Sequence, residues 1–142
     1  MTTSTVQFSN FASTTLVGTY GTGDTALTVS SAASFPAVSG GTTWFYAVIT
    51  DSLTAPTKRE IVKVTNVSGS IFTAVRAQDS TTAQTWATGS YIELRAVNKA
   101  LQDLFDEAVS DATTGITSLS STGNITLTVD SDNNNAGNLV VM

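Results

Sequence analysis

Between Lys58 and Arg95 the chain reads KREIVKVTNVSGSIFTAVRAQDSTTAQTWATGSYIELR, and directly afterwards its apolar period changes from two to three and four. Val62 and Val64 alternate with Lys63 and Thr65 while Ile61 faces the other side, which is the pattern of a half-buried strand. Ser68-Gly69 closes a turn, Ile71 to Arg76 returns, and Tyr91 to Leu94 forms a further strand after the polar loop AQDSTTAQTWATGS. Short strands with turn signals about every ten residues predict a small antiparallel β-sandwich or partly open barrel.

Upstream, Trp44 to Thr50 is aromatic and β-branched, continuous rather than alternating, and too short for a helix, so it predicts a buried strand at the centre of the core. Ala26, Leu27 and Val29 form a shorter strand that ends before Pro36, which cannot donate to a ladder. From Met1 to Tyr20 the residues are small and polar, with Phe8, Phe11, Leu16 and Val17 as isolated apolar beads. That segment is expected to be an arm whose beads need another surface to bury against, which could be this domain, a neighbouring subunit or a docking partner, with a locally packed tail as the alternative.

From Asn98, a suitable N-cap, Leu101, Leu104, Phe105 and Ala108 recur at helical spacing and predict a helix to about Asp111. Begun a turn earlier, Leu94, Val97, Leu101, Leu104 and Ala108 hold the 3-4-3-4 spacing of a coiled-coil seam, while the same face could equally pack on the sheet. Beyond Gly115, Ile125, Leu127 and Val129 alternate with threonines, and Leu139 to Met142 begin another strand. A strand pair with one uncovered apolar face is only marginally stable in water, so these residues are expected to pair with copies of themselves or with sequence lost to truncation.

Composition narrows the function classes. The chain has no Cys and no His, which removes thiolate chemistry and the commonest general base and metal ligand. A net charge of -5, with only six Lys and Arg, argues against nucleic acid, because phosphate neutralisation needs clustered cations. No apolar stretch approaches the roughly 20 residues of a membrane-spanning helix, and MTTSTVQFSN lacks the basic start and apolar middle of a secretory signal. Folding in the cytoplasm is expected. Roughly three residues in ten are Thr or Ser, a composition that suits exposed strands.

The carboxylates are candidates for a site because paired Asp or Glu can hydrolyse glycosides. Asp103, Asp106 and Glu107 lie on the predicted helix, where they read as a solvated acidic face. Asp130, Asp132 and Asn133 to Asn135 lack the glycine and bidentate glutamate of a calcium loop and read as a turn. Arg59, Arg76 and Arg95 are expected near strand ends as exposed partners of Glu60, Asp79 or Glu93, and Trp86 as a lid over one end of the sheet. No catalytic, cofactor-binding or metal residue is assigned.

The order REIVKVT, a Gly turn, FTAVRAQDSTTAQTWATG and YIELR resembles the N-terminal virion-attachment domain of bacteriophage tail fibre and tailspike proteins. The matching positions are Leu27 to Val29, Phe35-Pro36, Arg59 to Val62, Val64-Thr65, Thr73, Val75 to Gln78, Thr81 to Ala83, Trp86, Gly89 and Ile92 to Leu94. They span roughly half of the chain. The resemblance implies a non-enzymatic structural protein of the virion, assembled in the host cytoplasm. It would be the base of a homotrimeric fibre that touches tail, baseplate, adaptor or capsid proteins, without cofactors, nucleic acid or membrane insertion.

The expected organisation is mainly β: an extended arm over 1–23, an antiparallel β attachment domain over 24–96, one short amphipathic helix over 97–113 serving as trimer seam, and the start of an intertwined, trimeric β-rich shaft over 114–142. A head fibre or decoration protein on the capsid is the rival within the same class. A carbohydrate-binding module using Trp86 is the rival outside it.

Overall fold

The computed structural model describes residues 5–114. Seven strands precede one helix: β1 (Thr5–Val6), β2 (Ser13–Thr15), β3 (Ala26–Thr28), β4 (Thr43–Thr50), β5 (Arg59–Ser68), β6 (Ile71–Gln78), β7 (Tyr91–Leu94) and α1 (Asn98–Thr114). The strands form one antiparallel sheet in the order β2-β7-β4-β5-β6-β3, curled into a half-barrel, with β1 lying parallel against the start of β4. An antiparallel bridge between Leu16 and Val29 draws the two ends of the curl together, with Val17 N–H donating to Thr28 O at 2.9 Å and Ser30 N–H to Thr15 O at 2.9 Å. The fold is therefore the mainly β, barrel-like domain with one helix that the strand pattern predicts.

Local chemistry explains the meander. The β4–β5 connection is tied by Asp51, whose carboxylate accepts from the Thr57 N–H at 2.9 Å and from the Thr57 hydroxyl. The Thr57 hydroxyl bond is the main reason the Asp51 carboxyl is held down to about 2. A carboxyl depressed on folding stabilises above its unfolded value and loses that contribution as pH falls through the folded one. An NMR titration of Asp51 should therefore place its midpoint near 2, and Thr57→Val should move it back toward the ordinary range near 4. The β5–β6 turn is the two residues Gly69 and Ser70, with Gly69 at φ 59°, the left-handed conformation that tight hairpins ask of glycine. Register shifts between Ile61 and Lys63 and between Val64 and Asn66 bulge β5 against β6 and strengthen the curl.

Alternation fills the interior. Phe45, Ala47 and Ile49 of β4, Val62 and Val64 of β5, Phe72 and Ala74 of β6 and Ile92 of β7 are buried together. Phe35, Phe45 and Phe72 meet edge-on or tilted at 5.1 to 5.6 Å between ring centres. β4 is covered on both faces, because Tyr46 and Val48 on its outer side form a second cluster with Val6, Val97 and Ala100. That double burial is why its sequence is continuously apolar.

The N-terminal segment is not an extended arm; of the surfaces open to its apolar beads, it uses this domain. Within 1–23, read from sequence as an extended arm, residues 5–6 and 13–15 are sheet strands, and Val6, Ala12 and Leu16 are buried. Strands of two and three residues carry no detectable period, so backbone pairing is what recruits them. The expected 24–96 domain thus extends back to Thr5, while the shaft expected over 114–142, with Asp130, Asp132 and Asn133 to Asn135, lies outside the described residues apart from Thr114 at the end of α1.

Candidate functional site

The spaced residues of REIV and VRAQ..TTA..W converge on one buried charge. Glu60 is in phase with Val62 and Val64 and so points inward, and Arg76 is in phase with Phe72 and Ala74. The Glu60 carboxylate accepts from Arg76 Nε at 2.7 Å, Arg76 Nη2 at 2.8 Å, Trp86 Nε1 at 2.8 Å, Ala77 N at 3.0 Å and Gln84 N at 3.0 Å. Arg76 uses its remaining donors on the backbone oxygens of Gly21 and Asp24, each at 2.8 Å, and of Gln84 at 2.7 Å. Burial alone would raise the Glu60 carboxyl, but the guanidinium and the N–H donors outweigh it and hold the group ionised below the ordinary range.

This pair corrects the expectation that Arg76 and Glu60 meet on the surface: the two side chains are 6% and 0% exposed. Glu93 with Arg95 is the exposed pair that was expected, whereas Asp79 turns to the helix. The network stitches the turn at 21–24, the end of β6 and the loop to β7 into one end of the half-barrel. Ala77, Asp79 and Ser80 all adopt positive φ there, a conformation costly for such residues and held by the surrounding bonds. Trp86 is indeed a lid, but a fully buried one, paired through its backbone with Tyr20 and capped by the Lys58 ammonium 4.7 Å from its ring.

A second polar cluster fixes the helix to the outer face of β4. Asp103 accepts from Tyr46 Oη at 2.8 Å and Trp44 Nε1 at 3.1 Å, and it pairs with Lys99. The Lys99 N–H in turn donates to Asp79 Oδ2 at 3.1 Å, so a loop carboxylate caps the first turn. Burial and the Asp103 charge together push the Tyr46 hydroxyl far above its usual range. Asp103 is therefore not part of a solvated face, as its spacing from Glu107 suggested; Asp106 is exposed and Glu107 half-buried.

After this root α1 is left bare. Val97 and Ala100 are buried, yet Leu101 is 43%, Leu104 42% and Phe105 66% exposed. The seam predicted from Leu94 divides accordingly: Leu94 belongs to β7, Val97 packs on the sheet, and the outward stripe begins at Leu101 and continues through Ala108. A second exposed aromatic stands at the opposite end of the chain. Phe11 is 99% exposed at φ 57° and borders a cavity of about 410 Å³ lined by Ala12, Ser13, Glu93, Leu94 and Arg95. In the sequence it is an isolated apolar bead in need of cover, and nothing there marks its backbone.

Among the described residues there is no group of three or more His, Cys, Asp or Glu placed to hold a metal ion, and no helix is long and apolar enough to cross a membrane. No protein-family model and no curated protein matches the chain.

Proposed function

We propose that this chain is a structural, non-enzymatic virion protein: the base of a bacteriophage tail fibre, whose half-barrel attaches to other virion proteins and whose helix joins three copies at the start of the shaft. The observation that carries the reading is the stripe of Leu101, Leu104 and Phe105, exposed on a helix that is rooted in the sheet and then runs clear of it. Apolar residues at 3-4 spacing on an otherwise polar helix are what parallel copies bury against one another. A helix of 17 residues is short for an independent coiled coil, so it aligns chains whose further contacts lie elsewhere.

The buried Glu60–Arg76–Trp86 network supports the attachment half of the reading, because it makes one end of the half-barrel rigid. It also weighs against a carbohydrate-binding module built on Trp86: that ring is 0% exposed and its N–H is committed to Glu60, so no sugar can stack on it.

Cryo-electron microscopy of intact particles, with an antibody fragment against the half-barrel, tests the location. Density at the junction of tail and fibre is the expected result. Density on the capsid would transfer the proposal to a head fibre or decoration protein, and particles without density would contradict it.

A further inference from the structure

We propose that Asp103 is a latch between the half-barrel and α1: its ionised carboxylate fixes the helix root on β4, and without that charge the helix swings while the half-barrel stays folded. The inference is independent of what α1 associates with.

The geometry separates the two bodies. From the helix side only Val97 and Ala100 are buried, against Val6, Tyr46 and Val48, and every described residue of α1 after Ala100 is exposed or half-buried. Apolar contact at the root is therefore small, and polar bonds carry the orientation. Apart from the Asp79 cap on the Lys99 N–H, one carboxylate collects them: Oδ2 accepts from both Trp44 and Tyr46 of β4, and Oδ1 pairs with Lys99 one turn back along α1.

Charge-assisted bonds of this kind are roughly twice as strong as neutral ones. Losing the carboxylate leaves the Tyr46 hydroxyl and Trp44 indole without their acceptor and removes the ionic partner of Lys99. The charged groups around the latch are Lys99 and Asp106 from α1, Asp79 from the loop before β7, and Lys63 of β5, which lies 4.0 Å over the Trp44 ring. The interior is held by different residues, those around the Phe35, Phe45 and Phe72 rings, so opening the latch does not open the core.

The latch also answers to acid. Burial alone would raise the Asp103 carboxyl; its bonds to Lys99, Tyr46 and Trp44 outweigh that and lower it. A carboxyl depressed in the folded state contributes above its unfolded value and ceases to contribute as pH falls through the folded one, so release is expected below the usual carboxylate range.

The chain has two tryptophans, and their indole N–H groups report separately: Trp44 on Asp103, Trp86 on Glu60. In the full chain, Asp103→Ala should speed hydrogen exchange at the Trp44 indole and the Lys99 amide by about tenfold or more. It should weaken the Overhauser contacts of the Ala100 methyl with the Val6, Tyr46 and Val48 cluster, and leave the Trp86 indole and the β4–β5 amides within about twofold. Tyr46→Phe, which removes a single donor, should give a smaller change at the same groups and covers the case in which the alanine variant does not fold.

On acidification the wild type should show the same opening as a titration step, and Asp103→Asn should lack that step. The latch is overturned if the contacts of Ala100 with that cluster persist undiminished in Asp103→Ala and Tyr46→Phe, if core and root open together, or if the acid step survives in Asp103→Asn.

Discussion

Glu60→Ala should be among the most damaging single substitutions in this chain, costing about 3–5 kcal/mol of folding stability. Removing the carboxylate strands Arg76, only 6% exposed at its side chain, as a buried cation without its anion. It also takes the acceptor from the Trp86 indole and from the N–H groups of Ala77 and Gln84. Arg76→Ala should be comparably costly, since it leaves Glu60 charged and also frees the backbone oxygens of Gly21, Asp24 and Gln84.

The two losses should not add, because each removes the same pair: replacing both residues with apolar side chains of similar volume should cost well under the sum. Urea unfolding monitored by tryptophan fluorescence reads all three variants. A loss below about 1 kcal/mol for either single substitution would show that the network is incidental to the fold. Because the Glu60 carboxyl is depressed on folding, wild-type stability should be full above the ordinary glutamate value and decline as pH falls through the lowered one; Glu60→Gln should flatten that decline.

The second large effect concerns association. Leu101→Ser combined with Leu104→Ser should convert the proposed trimer to monomers while leaving the half-barrel's thermal midpoint nearly unchanged. Both leucines are more than two-fifths exposed in the single chain, so the fold itself gains little from them. Burying a fully exposed leucine contributes roughly 1.5–3 kcal/mol; with about two-fifths of each left to cover between chains, taking two from each of three copies weakens assembly by on the order of 5 kcal/mol. Analytical ultracentrifugation gives the mass and calorimetry the midpoint. A double variant that remains trimeric would remove α1 from the interface, and one that unfolds would mean the stripe packs within the chain.

The sequence made the meander legible because alternation is a local property: Val62, Val64, Phe72 and Ala74 declare an inward face without reference to other strands. The same rule contained the Glu60–Arg76 pair. Both charges sit in phase with those apolar residues, and two opposite charges on the inner faces of adjacent strands must satisfy one another. Their place near strand ends, where charged residues are usually exposed, is what hides the pair. Asp103 is hidden for a different reason: its spacing from Asp106 and Glu107 assigns it to a solvated acidic face, whereas its side is decided by Trp44 and Tyr46, residues 59 and 57 positions away in the chain. β1 and β2 could not be seen, since strands this short are defined by their partners. The continuous apolar run of β4 correctly indicated burial on both faces, although only the structure shows that α1 and β1 provide the second cover.

Sedimentation equilibrium of the purified chain tests the central proposal most directly. Three copies of the 14.7 kDa chain moving as one particle is the predicted result. A single-chain mass that persists at concentrations well above micromolar would contradict it, leaving Leu101, Leu104 and Phe105 to be covered by something other than their own copies.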